Sequence, residues 1–129
     1  MAGGIYQAQI LDHYKHPRNK GRIEPADLHA TESNALCGDT VSLYVRLDGA
    51  DRIRAVTFDG EGCAISQASA SILTTILEGK TLVEAKALGT EDLLKVVGVP
   101  LSAVRVQCAL LSFNVLRLAL AEKPVPSGP

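Results

Sequence analysis

Apolar residues recur at helical spacing over residues 5–15, where Tyr6, Ile10 and Tyr14 line up with Leu11 beside them. The pattern predicts a first helix, stopped by Pro17. Pro17-Arg18-Asn19-Lys20-Gly21 reads as a turn, and the chain then stays irregular to Leu28. Strict alternation follows over residues 40–48: Val41, Leu43, Val45 and Leu47 on one side, Ser42, Tyr44, Arg46 and Asp48 on the other. That is the period of a half-buried strand. Asp48-Gly49-Ala50-Asp51 supplies a turn, and Arg52 to Asp59 reads as the returning strand, with Ile53, Val56 and Phe58 as its apolar positions. A lone hairpin is marginal, so a third strand is expected, over His29 to Ala35.

Gly60 and Gly62 break the alternation just before Cys63, and the period changes to helical over residues 64–78, with Ile65, Ala68, Ile72 and Ile76 in one stripe. Ala64, Ser66, Ser69, Ala70 and Ser71 keep the first turns of this helix thin, so it can lie close to a sheet, and Gly79 suits its C-terminal cap. Short helices are expected over Leu82–Leu88 and Glu91–Val97, the acidic pair Glu91-Asp92 serving the second as N-terminal charges. Ser102–Ala121 is the last helix, apolar on most faces, which suits a core helix or a face for self-association. Helix, strands, then helices is the order of an α+β domain, a small antiparallel three-stranded sheet covered by helices. With 129 residues, one domain over 1–121 and a disordered tail over 122–129 are expected.

Composition narrows the function classes. An apolar share of 47% is too high for a disordered chain, and a net charge of -1 leaves nothing to attract nucleic acid or an anionic membrane. No apolar run approaches the ~18 residues of a membrane span. Met1-Ala2-Gly3-Gly4 carries no basic segment leading into an apolar one, so a cytoplasmic location is expected. The informative count is three cysteines, odd in number and without a CxxC pair. In a reducing compartment this argues for metal or thiol chemistry over a disulfide framework.

Each cysteine is expected at an element end. Cys37 lies in the turn Cys37-Gly38-Asp39, Cys63 between strand and helix, and Cys108 in or just before the first turns of the last helix. Glycine beside a thiol frees the backbone to turn neighbouring side chains toward a common point. Cys63 at a helix N-terminus meets unpaired N–H groups, which favours thiolate. Arg105 is placed to support the thiolate of Cys108. Three thiolates leave a fourth position on a tetrahedral ion, and Asp39 is the best local candidate for it. A carboxylate is a harder and weaker partner than a fourth thiolate, so such a site is labile, which suits something handed on. The competing reading of Asp39 is a turn or strand-end cap. His13, His16 and His29 neighbour no cysteine and read as surface or packing residues.

At these residues the chain resembles the IscU/NifU-type iron–sulfur cluster assembly proteins over residues 5 to 121. Asp12-His13-Tyr14-Lys15-His16-Pro17-Arg18-Asn19-Lys20-Gly21 matches the family's "DHY…PRN.G" signature. Asn34-Ala35-Leu36-Cys37-Gly38-Asp39 matches its "NP.CGD" loop, with Ala35 at the usual proline, and residues 58–71 match "F.G.GC.IS.ASAS". The resemblance implies a compact α+β scaffold that receives persulfide sulfur from a cysteine desulfurase and assembles a transient [2Fe–2S] cluster for acceptor proteins. The same ligands bind zinc in many members. Carried over, the ligand set is Cys37, Asp39, Cys63 and Cys108, with Cys108 as the sulfur acceptor.

Within that family the chain leans to the SufU branch. Gln107 stands where the IscU branch has histidine, and Val99 to Val104 keeps only a trace of that branch's chaperone-binding segment. Arg105-Val106-Gln107-Cys108 resembles the "R.KC" pattern of SufU, whose partner is the desulfurase SufS; the IscU branch uses an IscS-type enzyme. The insertion SufU usually carries between its second and third cysteines is short or absent. Three functions follow as expectations: a cluster scaffold, which is a carrier rather than an enzyme; a zinc-dependent sulfur acceptor, which is a sulfurtransferase; and a structural zinc module.

Overall fold

The computed structural model describes residues 2–34, 38–97 and 103–121. The element order is α1 (Ala2–Lys15), β1 (Leu28–Asn34), β2 (Asp39–Leu47), β3 (Ile53–Glu61), α2 (Ala64–Leu77), α3 (Leu82–Lys86), α4 (Thr90–Val97) and α5 (Ala103–Ala121). The strands form one antiparallel sheet in the order β1-β2-β3, so β2 is central and the other two are edges. The third strand anticipated from weak local signal is present.

The alternation in β2 decides which face is buried. Val41, Leu43 and Val45 point toward the helices and are sealed, together with Leu28, Val56 and Phe58 from the edge strands. On the other face Thr31 and Ser42 share a hydroxyl hydrogen bond of 2.7 Å, and Ser33 and Thr40 one of 3.1 Å. Tyr44, on that open face, is covered by a stacked His29 ring and by Arg22, whose Nε donates to its hydroxyl at 3.0 Å. The β2–β3 turn is held by Asp48, whose carboxylate accepts from the N–H groups of Ala50 and Arg52.

α2 packs on both β3 and α5, and its small residues Ala68, Ser69, Ala70 and Ser71 are all buried, as their size predicts. The C-terminal cap of this helix is Glu78; Gly79, expected in that role, follows it with a left-handed φ of +79° and donates its N–H to the carbonyl of Ile53 in β3. α5 is a core helix: Cys108, Ala109, Leu111, Phe113, Val115, Leu116, Ala119 and Leu120 are buried, and among its described side chains Leu118 is the one large exposed apolar residue.

In α1 the expected stripe is only partly used. Ile10 is buried, whereas Leu11 and Tyr14 are about half exposed. Polar hooks do the remaining work. Nδ1 of His13 and the N–H of Arg18 both lie 2.8 Å from the Ser71 hydroxyl, and the Arg18 side chain returns to Asp12 in an exposed ion pair at 2.6 Å. The Asn19 amide donates to Thr74 and Glu78, its carbonyl accepts from the N–H of Phe58, and Gly21 donates to the carbonyl of Phe58. The "DHY…PRN.G" signature is therefore a latch from α1 onto α2 and the outer edge of β3.

Burial lowers the pKa of His13, the nearby Arg18 charge adds to this, and Asp12 only partly opposes it. The folded state thus prefers neutral imidazole. Stability from this contact is present above the ordinary imidazole value of about 6.5 and falls as pH drops through the depressed value. Urea midpoints should decline from pH 7.5 to pH 5.5, and His13→Gln should flatten that decline. An unchanged slope in the variant would remove His13 as its cause.

Candidate metal and sulfur centre

Asp39 is the first residue of β2 and continues the inward row of Val41, Leu43 and Val45. An acid thus occupies a position whose neighbours are core residues, and it is fully buried. Cys63 is the N-cap residue of α2, and its side chain makes no capping bond to the helix. Its N–H instead donates to Oδ1 of Asp39 at 2.8 Å, and its thiol donates to Oδ2 at 3.6 Å. One carboxylate oxygen anchors the start of the helix, and the other faces the sulfur.

The carbonyl of Cys63 is held as well. It accepts from the Ser66 hydroxyl and from the backbone N–H of Gln67, both at 3.1 Å. The Gln67 side-chain amide donates in turn to the Ser66 oxygen. Asp39 therefore grips one end of the Cys63 peptide unit and Ser66 the other. The sequence reading treated Ser66 as a thin packing residue. Its position three residues after an N-cap is the signal that would have found it.

Cys108 lies within α5. It belongs to the buried stripe that runs on through Leu111, Val115 and Ala119, and it is fully buried. It sits in the second turn of the helix, within the first turns where it is expected, and the buried face of α5 delivers its sulfur to the site. The ligand atoms of Asp39, Cys63 and Cys108 all lie within 4.8 Å of one another. In a tetrahedron with Zn–S of about 2.3 Å and Zn–O of about 2.1 Å, a sulfur and an oxygen sit roughly 3.6 Å apart. The Asp39–Cys63 pair already has that spacing. Two thiols and a carboxylate converging from three elements fit a thiophilic metal.

Cys37, the remaining predicted ligand, lies outside the described residues, as does the segment 98–102 that carries most of the weakened chaperone motif. Arg105 is exposed on α5, three residues before Cys108. His13 and His29 are engaged elsewhere, with Ser71 and Tyr44.

The profile of the NifU-like N-terminal domain matches residues 5–124. The chain belongs to that family. Among its relatives, the zinc-dependent sulfurtransferase SufU of Bacillus subtilis is 35% identical over 136 residues, covering 92% of this chain and 91% of its own. The iron–sulfur cluster assembly scaffold protein IscU 1 of Archaeoglobus fulgidus is 32% identical over 118 residues, covering 92% of this chain and 76% of its own. A crystal structure from Fervidobacterium islandicum, of a protein assigned to the SUF system as a cluster assembly scaffold, superposes with a TM-score of 0.76 at 33% identity. It covers 93% of this chain and 99% of that one. The NifU-like fold thus accounts for the three-stranded sheet with helices. None of the described helices is long and apolar enough to cross a membrane.

Proposed function

We propose that this NifU-like domain is an iron–sulfur cluster assembly scaffold, working in the cytoplasm as one folded unit over residues 1–121. It takes persulfide sulfur from a cysteine desulfurase and, with ferrous iron and an external thiol or electron-transfer reductant that together bring the sulfane sulfur to sulfide, builds a transient [2Fe–2S] cluster as its cargo and passes it to acceptor proteins. The observation that carries this is the convergence of Asp39, Cys63 and Cys108 from a strand, a helix cap and a helix face. Cys37, two residues before Asp39, supplies the third thiolate in this reading. Sulfur arrives when a thiolate of the chain, proposed as Cys108, attacks the outer sulfur of the desulfurase persulfide. A new S–S bond forms on the chain, and the desulfurase cysteine leaves as thiolate. Arg105 is proposed to favour the attacking thiolate.

A second reading, the zinc-dependent sulfur acceptor, draws support from the 35% identity to SufU and from the tetrahedral Asp39–Cys63 spacing. Bound zinc would supply a redox-inert Lewis acid that holds thiolates deprotonated without consuming sulfur. The same four residues would hold it.

An anaerobic visible spectrum separates the two. The zinc-loaded protein receives ferrous iron, cysteine and a desulfurase, and sulfide-to-iron charge-transfer bands are followed. Bands that grow in proportion to this chain and vanish in Cys63→Ser establish the scaffold. Faster desulfurase turnover with no bands on this chain, and sulfane sulfur on a cysteine by mass spectrometry, leaves the sulfur acceptor in its place.

A further inference from the structure

β1 is an edge strand, and α5 packs more heavily on it than on the central strand. Between the outer edge of β1 and α5 runs a groove of about 730 Å³, walled by Glu32, Ser33 and Asn34 on one side and by Gln107, Leu110, Arg117 and Leu118 among others on the other. Ser33 shows what lies in it. Its side chain is bonded to Thr40 on the open face of the sheet, so its contribution to the groove is main chain.

Strand alternation gives the direction of those backbone groups. Phe58 turns both of its own away from β2, toward Asn19 and Gly21. Leu43 opposite it therefore turns toward β1, and its partner Ala30 turns inward to meet it. Thr31 and Ser33, out of phase with Ala30, direct theirs outward. Their N–H groups therefore point away from β2.

The groove thus offers a free main-chain edge beside a side-chain wall, the pairing used when an extended peptide adds a strand to a sheet. The wall offers aliphatic surface at Leu110 and Leu118, the latter 46% exposed. The guanidinium of Arg117 is stacked 4.8 Å over the Phe113 ring and, among the described residues, pairs with no carboxylate. One end of the groove lies at Asn34, three residues before Cys37, and at Gln107, next to Cys108.

We propose that this groove docks an extended segment of the protein that takes the cluster from this chain. The segment adds to β1 as a fourth strand, with an aliphatic side chain against Leu110 and Leu118 and an acidic one against Arg117. Its end is thereby brought to Gln107, the residue before Cys108, on the side of the chain where an acceptor must bring replacement thiolates. The inference rests on the scaffold reading for the identity of the guest, but not for the groove itself.

The apo form of a small [2Fe–2S] ferredoxin serves as probe. In the metal-free chain, saturating apo-ferredoxin should slow amide hydrogen exchange at Thr31 and Ser33, and Leu118→Glu and Arg117→Glu should abolish that protection. In chain loaded chemically with ferrous iron and sulfide, these variants and Thr31→Pro should hold the cluster normally. They should transfer it about tenfold more slowly, the loss expected of a central docking residue. Thr31→Pro removes the outward N–H, which an edge strand tolerates, together with the exposed Thr31–Ser42 hydroxyl bond, and Thr31→Val, which loses that bond but keeps the N–H, should transfer normally. Exchange that stays fast on β1 of the wild-type chain, or transfer unchanged in Leu118→Glu, Arg117→Glu and Thr31→Pro, overturns the groove. So does slower sulfur delivery by the desulfurase with normal transfer, because the guest is then the donor. If the wild-type chain holds no cluster, the scaffold reading falls and the exchange arm still decides the groove.

Discussion

Alanine at Gly60 is expected to cost the fold, and alanine at Gly62 the site. Both glycines have positive φ, +145° and +149°, so any side chain there is strained. Such backbone strain costs about 1–3 kcal/mol. The neighbours differ. A Cβ on Gly60 would run into the carbonyl of Thr40 in the adjoining strand, which is backbone locked in the ladder. The strands must part to admit it, so Gly60→Ala should lose about 3 kcal/mol or more in urea unfolding. A Cβ on Gly62 would run into the Asp39 side chain, whose carboxylate can swing aside and whose Cβ, 2.8 Å away, needs a shift of the strand end but not of a ladder carbonyl. Gly62→Ala should therefore fold with a smaller loss of stability. It would give up the grip on the Cys63 N–H and the Asp39–Cys63 spacing. Zinc competition with a chromophoric chelator should show at least about a tenfold weaker site, the fall expected when one ligand of a metal is misplaced by its support. Wild-type zinc affinity in Gly62→Ala would show that the close approach of the two segments does not shape the site.

Removing the Asp39 carboxylate should make the metal-free chain more stable and the loaded chain slower to give up its cluster. The carboxylate is fully buried, and its described partners are the N–H and the thiol of Cys63. Taking a carboxylate out of water costs several kcal/mol unless it is well compensated. Alanine leaves the Cys63 N–H unpaired, which costs about 1–3 kcal/mol. The larger penalty is the one alanine removes, so metal-free Asp39→Ala should gain about 1–2 kcal/mol by urea titration. Asp39→Asn keeps an oxygen for the N–H and removes the charge, but turns the oxygen facing the Cys63 thiol into a buried NH2 donor, so it should gain less than the loss of charge alone would give. In the proposed loaded protein the carboxylate would be the hard ligand among soft ones, the one most readily replaced. Without it an incoming thiolate loses its opening, and transfer to an apo-acceptor slows. Metal-free Asp39→Ala less stable than wild type would mean that the grip outweighs the buried charge. A cluster that leaves Asp39→Ala as fast as wild type would end the role of Asp39 in release.

Gly62 and Asp39 together explain why the site needs a carboxylate and a glycine at just these places. The carboxylate reaches back to the N-cap of α2 through a space that only hydrogen can share. If the two predictions hold, stability is given up there for a labile centre, the trade commonly found where a site must act rather than merely persist.

Much of the fold was legible because its periods are strong. Alternation in β2 placed Val41, Leu43 and Val45 inward, and the small residues of α2 announced a helix lying close to its neighbours. β1 was weakly marked because an edge strand with one wet face has few apolar positions, and its pairing comes from β2 rather than from its own sequence. The α1 stripe misled at Leu11 and Tyr14. The helix is held at Ile10 and by the His13 and Arg18 bonds to Ser71, contacts some 53–58 residues apart in sequence that no local period encodes. Cys108 was legible as a candidate ligand in the first turns of the last helix, but its full burial on the apolar stripe of α5 follows only from the helix's neighbours across the core.

By itself the sequence determined the elements, the α+β order, the family resemblance and the residue types that bind soft metals, because these depend on local spacing and on side-chain chemistry. The tertiary structure alone decided that Asp39 spends one oxygen on the backbone of Cys63, that the latch of α1 closes on Ser71, and that β1 keeps an open edge beside α5. Each of these depends on distances between segments far apart in the chain, and such distances are set only when the core closes.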